Sequence, residues 1–236
     1  MFYRISEEVF AKLPTLCVGL VAVKGLENNQ PAPQIAALLA AAIAEQEAYF
    51  EGKRVKEDAG ILPYREAFRA LGSNPNKYLC SIEALLTRIA KKKGFPSINP
   101  IVDMGNAISI KYRLPIGAHD LATIPDGLEV RLSREGDTFL PFGETTPETP
   151  DPGETVYAAG SEVRTRRWTW RQSEQGKITE ATTDVLFPID GFTDVNEKEI
   201  RAAMDAFAAL LKEGFGLECE MGFVDAAHDT FRFFEA

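Results

Sequence analysis

The chain has 236 residues, 45% of them hydrophobic and 26% charged, which fits a globular protein of one large or two small domains. No run approaches the roughly 18 apolar residues of a membrane span, and MFYRISEEVF lacks the basic-then-apolar layout of a signal peptide, so a cytoplasmic protein with no membrane partner is expected. The net charge of −9 argues against indiscriminate binding to DNA, other nucleic acid or anionic lipid. Cys17, Cys80 and Cys219 lie far apart and His119 and His228 are the only imidazoles, so neither a disulfide framework, a metal site nor a cofactor is expected.

In chain order, TLCVGLVAVK (15–24) reads as a buried strand and PQIAALLAAAIAEQEAYF as a helix with Pro33 early and Gly52 as its stop. YREAFRAL (64–71) reads as a helix ended by Gly72. Ser81 opens another, with Ile82, Leu85, Leu86 and Ile89 as its apolar stripe. Arg88, Lys91, Lys92 and Lys93 fall off that stripe. They close a segment, Lys53–Lys93, with ten basic and four acidic residues, a local +6 that leaves −15 on the rest of the chain. Such a run is either one positive face or a solvated helix surface.

Asn99-Pro100 caps a helix of roughly residues 100–112 that Pro115 ends. From Gly127 the texture is strand-like: LEVRL, TFLPF, ETVYAA, EVRTRRWTW and TTDVLFPI, with 143–153, rich in proline and acid, as an exposed loop. Asp194 with Glu197 fits a capping box for a helix stopping near Gly214, and LECEMGFV and TFRFF read as closing strands. No phosphate-binding loop, dinucleotide fingerprint, metalloprotease helix or nucleophile elbow is present.

Three segments carry polar chemistry. On a helix, Asp103 and Asn106 share a side, with Gly105 open to close approach; the Asn amide suits an ester or water, and helix-to-loop packing is the alternative. His119 adjoins Asp120, but neighbours on an extended chain point to opposite sides, and a structural histidine is equally in view. If Arg166–Gln172 is a strand, Arg166, Trp168, Trp170 and Gln172 share one face and Arg167, Thr169 and Arg171 the other. That face is an aromatic platform for a base or ring with arginines for phosphate, or a tryptophan ladder in the core.

PIVDMGN (100–106) with LPIGAHDL (114–121) resembles the VVD-x-x-NYV…GQP-x-HAFD segment of the B3/B4 editing domain in the β subunit of bacterial phenylalanyl-tRNA synthetase. YREAFRALG, KYLCSIEALL and RRWTWRQ are similar to free-standing B3/B4-domain proteins, and the likeness covers roughly residues 60–192. The resemblance implies an α+β fold with helices on a β-sandwich-like mixed sheet core, one B3/B4-like domain over 1–236, and hydrolysis in trans of a mischarged aminoacyl-tRNA such as Tyr-tRNA(Phe). A non-catalytic amino-acid- or RNA-binding module on the same fold is the alternative.

Taken with the residue patterns above, the resemblance makes Asn106, His119 and Gln172 the expected catalytic residues and Gly105, Gly117, Trp168, Trp170 and Asp190 the expected substrate-binding ones, while the basic clusters Arg167, Arg171, Arg88, Lys91, Lys92 and Lys93 are expected to bind tRNA. Partners are the aminoacylated 3′ end of tRNA and possibly a free amino acid. The chain departs from the family pattern: Gly117 stands where the family has histidine, His119 lies two residues later, and Asp190 is the carboxylate nearest the family's pocket glutamate, which aligns near Pro188.

Overall fold

The apolar run LCVGLVAV forms a strand with all eight residues buried, as an element covered on both faces must be. In the computed structural model, which describes residues 1–235, the elements in chain order are β1 (Phe2–Ile5), α1 (Glu7–Lys12), β2 (Leu16–Val23), α2 (Pro33–Tyr49), α3 (Leu62–Ala70), α4 (Ser81–Ala90), α5 (Pro100–Tyr112), β3 (His119–Asp120), β4 (Gly127–Leu132), β5 (Thr155–Ala159), β6 (Glu162–Arg166), β7 (Arg171–Gln172), β8 (Val185–Phe192), α6 (Glu197–Phe215), β9 (Cys219–Val224) and β10 (Thr230–Arg232). They build a six-stranded sheet, ordered β10-β1-β4-β5-β6-β7, and a four-stranded sheet, β3-β8-β2-β9. Among the described strands only the β1–β4 pair is parallel. The fold is α+β, with a mixed sheet core.

The alternation along β2 explains the layering. Leu16, Val18, Leu20 and Ala22 share a core with Tyr3, Ile5, Val130 and Tyr157 of the larger sheet. Cys17, Val21 and Val23 pack instead with Ile101, Met104 and Ile108 of α5 and Ile200, Phe207 and Leu211 of α6. The small sheet therefore lies between the large sheet and a helical layer. Gly19 sets how closely α6 approaches, because a Cβ there would stand 2.6 Å from Ile200 Cγ2 and 2.7 Å from Met204 Sδ. No helix among the described residues is long and apolar enough to cross a membrane.

Several expectations need correction. TFLPF forms no strand; it is tied by single bridges, Phe139 to Glu148 and Pro141 to Ser173. The 143–153 loop is exposed except at Pro150, and it returns the chain from β4 to β5, its neighbour in the same sheet. Helix α5 ends two residues before Leu114, where Arg113 adopts a left-handed conformation and donates its N–H to Ser109 O. No capping box opens α6. Asn196 precedes it, with Oδ1 accepting from Phe192 N and Nδ2 donating to Tyr64 Oη, and left-handed Gly216 ends it.

The largest correction concerns 166–172, which is not one strand. Arg167 and Trp168 have φ of 47° and 61°, a left-handed pair that turns the chain between β6 and β7. The alternating faces expected there do not exist. Glu154 holds the turn: Oε1 and Oε2 accept from Arg166 Nε at 2.9 Å and Nη2 at 2.7 Å, and Oε1 also accepts Arg167 N at 3.0 Å.

Candidate functional site

The left-handed turn at Arg113 sends Leu114–Gly117 alongside β8. Pro115 O accepts Asp190 N and Gly117 N donates to Pro188 O, both at 3.0 Å, before His119 and Asp120 pair with Leu186 and Val185 as β3. On the other side, the 167–170 turn inserts Trp168 into the core among Tyr64, Phe68 and Phe192, with ring centroids 6.0–6.1 Å away. Between these two irregular segments lies a cavity of about 170 Å³ whose walls include Gly117, His119, Tyr157, Trp170, Gln172 and Asp190.

The floor of this cavity is polar and buried. Asp190 Oδ1 accepts two hydrogen bonds, from Tyr157 Oη and Trp168 Nε1, each at 2.7 Å. Among the described residues Oδ2 accepts none. Burial raises the Asp190 carboxyl to about 7, against the opposing pull of the two hydrogen bonds. Tyr157 in turn accepts from Tyr3 Oη at 3.1 Å, so the carboxyl ends a chain of hydroxyls running into the core. Burial also keeps the Tyr157 phenol protonated well above its ordinary value.

His119 stacks on Tyr157, 5.7 Å between centroids and 15° between planes. Burial first, and the Arg164 charge second, hold its imidazole down to about 3, so it is neutral at physiological pH. Among the described residues its buried Nδ1 has no partner. Space at Gly117 is tight: a Cβ would sit 3.1 Å from His119 Nε2 and 3.2 Å from Pro188 Cγ. Asp120 does not pair with His119; it caps Ala122 N and accepts Thr182 Oγ1.

A second cavity, of about 230 Å³, shares Ile116, Gly117 and Gln172 with the first and adds Gly105, Asn106, Phe142 and Lys177. The predicted catalytic trio is thus split: His119 borders the first cavity, Asn106 the second, and Gln172 both. Gln172 Nε2 is committed to Ala118 O at 2.8 Å, leaving Oε1. A Cβ at Gly105 would meet Phe187 at an ordinary 3.8 Å, so nothing at that position demands glycine. Asp103 turns away and accepts Ile98 N and Ser97 Oγ.

Other expected assignments change role. Trp168 is fully buried and anchors Asp190, whereas half-buried Trp170 stands edge-on to Tyr78 at 4.7 Å. Arg167 is consumed internally by Asp151 and Ser73 and lies 3.9 Å over the Tyr78 ring. Arg171 makes no ion pair among the described residues. Arg88 closes the loop after α4 through Gly94 O, and Lys91, Lys92 and Lys93 are exposed. These lysines follow the end of α4 opposite Ser81, which lines the first cavity, so the two are about 15 Å apart along the helix.

Sequence reasoning missed Tyr157 and Phe142. Tyr157 lies in a β-prone run with nothing to separate it from a core tyrosine, and Phe142 lies in a segment expected to be a strand. Among the described residues no group of three or more His, Cys, Asp or Glu is arranged to hold a metal ion.

The phenylalanine–tRNA ligase β subunit of Chromobacterium violaceum is 38% identical over 65 residues, which covers 28% of this chain and 8% of that subunit. An N-terminal fragment of the phenylalanyl-tRNA synthetase β subunit from Pyrococcus horikoshii superposes with a TM-score of 0.49 at 10% identity, covering 92% of this chain and 49% of the fragment. The chain therefore spans half or less of these relatives. The B3/4 domain family model matches residues 63–216, from α3 through α6 and across both cavities. This chain belongs to the B3/4 domain family.

Proposed function

We propose that the first cavity receives the aminoacyl group of a mischarged aminoacyl-tRNA and that the protein hydrolyses the ester in trans. The observation that carries this reading is the cavity floor, where Asp190 and His119 keep hydrogen-bonding capacity that the fold does not use. Buried polar groups are ordinarily satisfied, and a carboxyl poised near 7 suits proton transfer at neutral pH.

The chemistry needs no nucleophilic side chain. Asp190, ionised, takes a proton from a water at its free Oδ2; the water oxygen bonds to the acyl carbon and the ester C–O bond breaks. The proton returns to the departing ribose oxygen, releasing the amino acid and a free tRNA terminus. Neutral His119 orients the carbonyl or the water, Gln172 Oε1 accepts from the α-ammonium group, and Trp170 forms a wall. Trp168 and Tyr157 act through Asp190 as positioning residues. The exposed lysines after α4 and Arg171 supply phosphate contacts, whereas Arg167 serves the turn.

A panel of tRNAs charged with labelled cognate and near-cognate amino acids, beginning with Tyr-tRNA(Phe), tests the reading. Selective release of amino acid supports it. A second reading, a module that binds an amino acid without hydrolysis, is favoured by the low pKa of His119, which removes one ionisable acid from the cavity. It predicts saturable binding of a free amino acid with no release from any charged tRNA.

A further inference from the structure

The first strand of the chain reaches the floor of the first cavity from behind. Tyr3 of β1 is fully buried; its Oη donates to Tyr157 Oη at 3.1 Å, and Tyr157 Oη donates to Asp190 Oδ1 at 2.7 Å. A phenol carries one hydrogen, and Tyr157 gives its own to the carboxylate, so the hydrogen between the two hydroxyls comes from Tyr3. Phenylalanine would fill the same space with no buried polar group to satisfy. Tyr3 also lies outside residues 63–216, which the B3/4 family model matches, so membership of the family assigns it no role.

The surroundings of Asp190 make that hydroxyl consequential. Around the carboxyl stand Tyr157 on β5, Trp168 in the 167–170 turn, His119 on β3, Tyr64 on α3, whose Oη donates to Asp190 O at 3.0 Å, Cys17 on β2 and Cys80 ahead of α4. None is charged near neutral pH: burial lowers His119 to about 3, raises both thiols to about 12 and holds the two tyrosines well above their ordinary value. Among the described residues the carboxylate is therefore held against burial by two hydrogen bonds, from Tyr157 and Trp168. We propose that Tyr3 is a positioning residue for the reaction at Asp190: by donating to Tyr157 it polarises that hydroxyl, strengthens its bond to Oδ1, and reserves Oδ2 for the proton that moves. Hydrogen bonds in a chain strengthen one another, most where water is excluded. A stronger donor at Oδ1 favours the ionised carboxyl, so Tyr3 works against burial. Burial first, and the Asp190 charge second, keep the Tyr3 phenol protonated well above its ordinary value, so the donor is always present. The inference deepens the function proposed above and rests on it for the reaction that Asp190 performs.

The test is a carbon NMR titration of the Asp190 carboxyl in the whole protein, its signal assigned by loss in Asp190→Asn; it needs no substrate. The wild-type midpoint should lie at about 7. Tyr157→Phe, which removes a direct bond, should raise it by about 1 pH unit or more, and Tyr3→Phe by about 0.2–0.5. In the Tyr157→Phe background Tyr3→Phe should add nothing, because the relay is already cut. Fluorotyrosine placed at position 3, a stronger donor of nearly the same shape, should lower the midpoint, and it serves where the double variant does not fold. A midpoint unmoved by Tyr3→Phe, an equal rise in both backgrounds, or a rise with fluorotyrosine overturns the proposal; a merely structural Tyr3 would change stability and leave the midpoint in place. In deacylation of a mischarged tRNA, the pH midpoint of the rate should move with Tyr3→Phe by the same amount. A shifted carboxyl with no hydrolysis of any ester leaves the relay standing and removes the hydrolytic reading. Deacylation whose pH profile ignores Tyr3→Phe does the reverse.

Discussion

Two buried polar clusters lie on opposite sides of the 167–170 turn, and they differ in what they have left to give. Behind the turn, Glu154 spends both carboxylate oxygens on Arg166 and the Arg167 amide. In front of it, Asp190 spends one oxygen and His119 leaves Nδ1 unpaired. The first cluster fixes two strained residues in place. The second faces a cavity. The first carboxylate is occupied in holding the turn, and the second keeps an oxygen free beside open space.

The comparison breaks most visibly at Glu154. Replacing it with Ala leaves Arg166 only Glu148 and Asp151 as ion-pair partners and frees the turn, and should cost about 1–3 kcal/mol in denaturant unfolding. A loss below about 1 kcal/mol would mean that the turn holds without the cluster. Next comes Asp190→Asn, which preserves size and an acceptor for Trp168 while removing the proton acceptor. Deacylation should fall about 100-fold or more at pH 7, with the protein still folded.

The same variant sharpens the contrast through pH. The Asp190 carboxyl is raised from about 4 in the unfolded chain to about 7, so the folded state binds the extra proton and its stabilising effect is lost as pH rises through that window. His119, lowered to about 3, acts oppositely: the unfolded chain binds the extra proton between about 3 and 6.5, and stability climbs with pH there. The two contributions oppose each other between about 4 and 6.5. Asp190→Asn removes one of them, so its stability relative to wild type should grow steadily from pH 4 to pH 7. A constant difference would show that Asp190 titrates normally. The smallest effect is expected far from the cavity: replacing Lys91, Lys92 and Lys93 together with Ala should flatten the slope of log K against log salt for tRNA binding by up to about 2, with no loss of fold.

The regular elements were legible because their signals are local. The apolar run of β2, the Ala- and Leu-rich α2, the Asn99-Pro100 start of α5 and the stripe of α4 all formed where expected. The site was legible only in part. His119, Gln172, Trp170 and Asp190 do meet at one cavity, but Arg166–Gln172 reads as an alternating strand because a left-handed Arg-Trp pair has no sequence signature. Its conformation is imposed by Glu154 and Asp190, 12 or more residues away along the chain. The same long-range cause turned Trp168 from a platform into an anchor and drew Arg167 inward. Asn106 lines the second cavity and not the first, because the spacing of α5 gives its face but not what lies opposite it.

The most direct measurement is single-turnover deacylation of a mischarged tRNA by the wild-type protein and by Asp190→Asn across pH 5.5 to 8.5. The account predicts a wild-type rate that rises through an apparent pKa near 7 and levels off, and a variant at least about 100-fold slower without that step. Equal rates for the two proteins, or a wild-type rate indifferent to pH, would contradict a carboxyl at the cavity floor as the group that moves the proton.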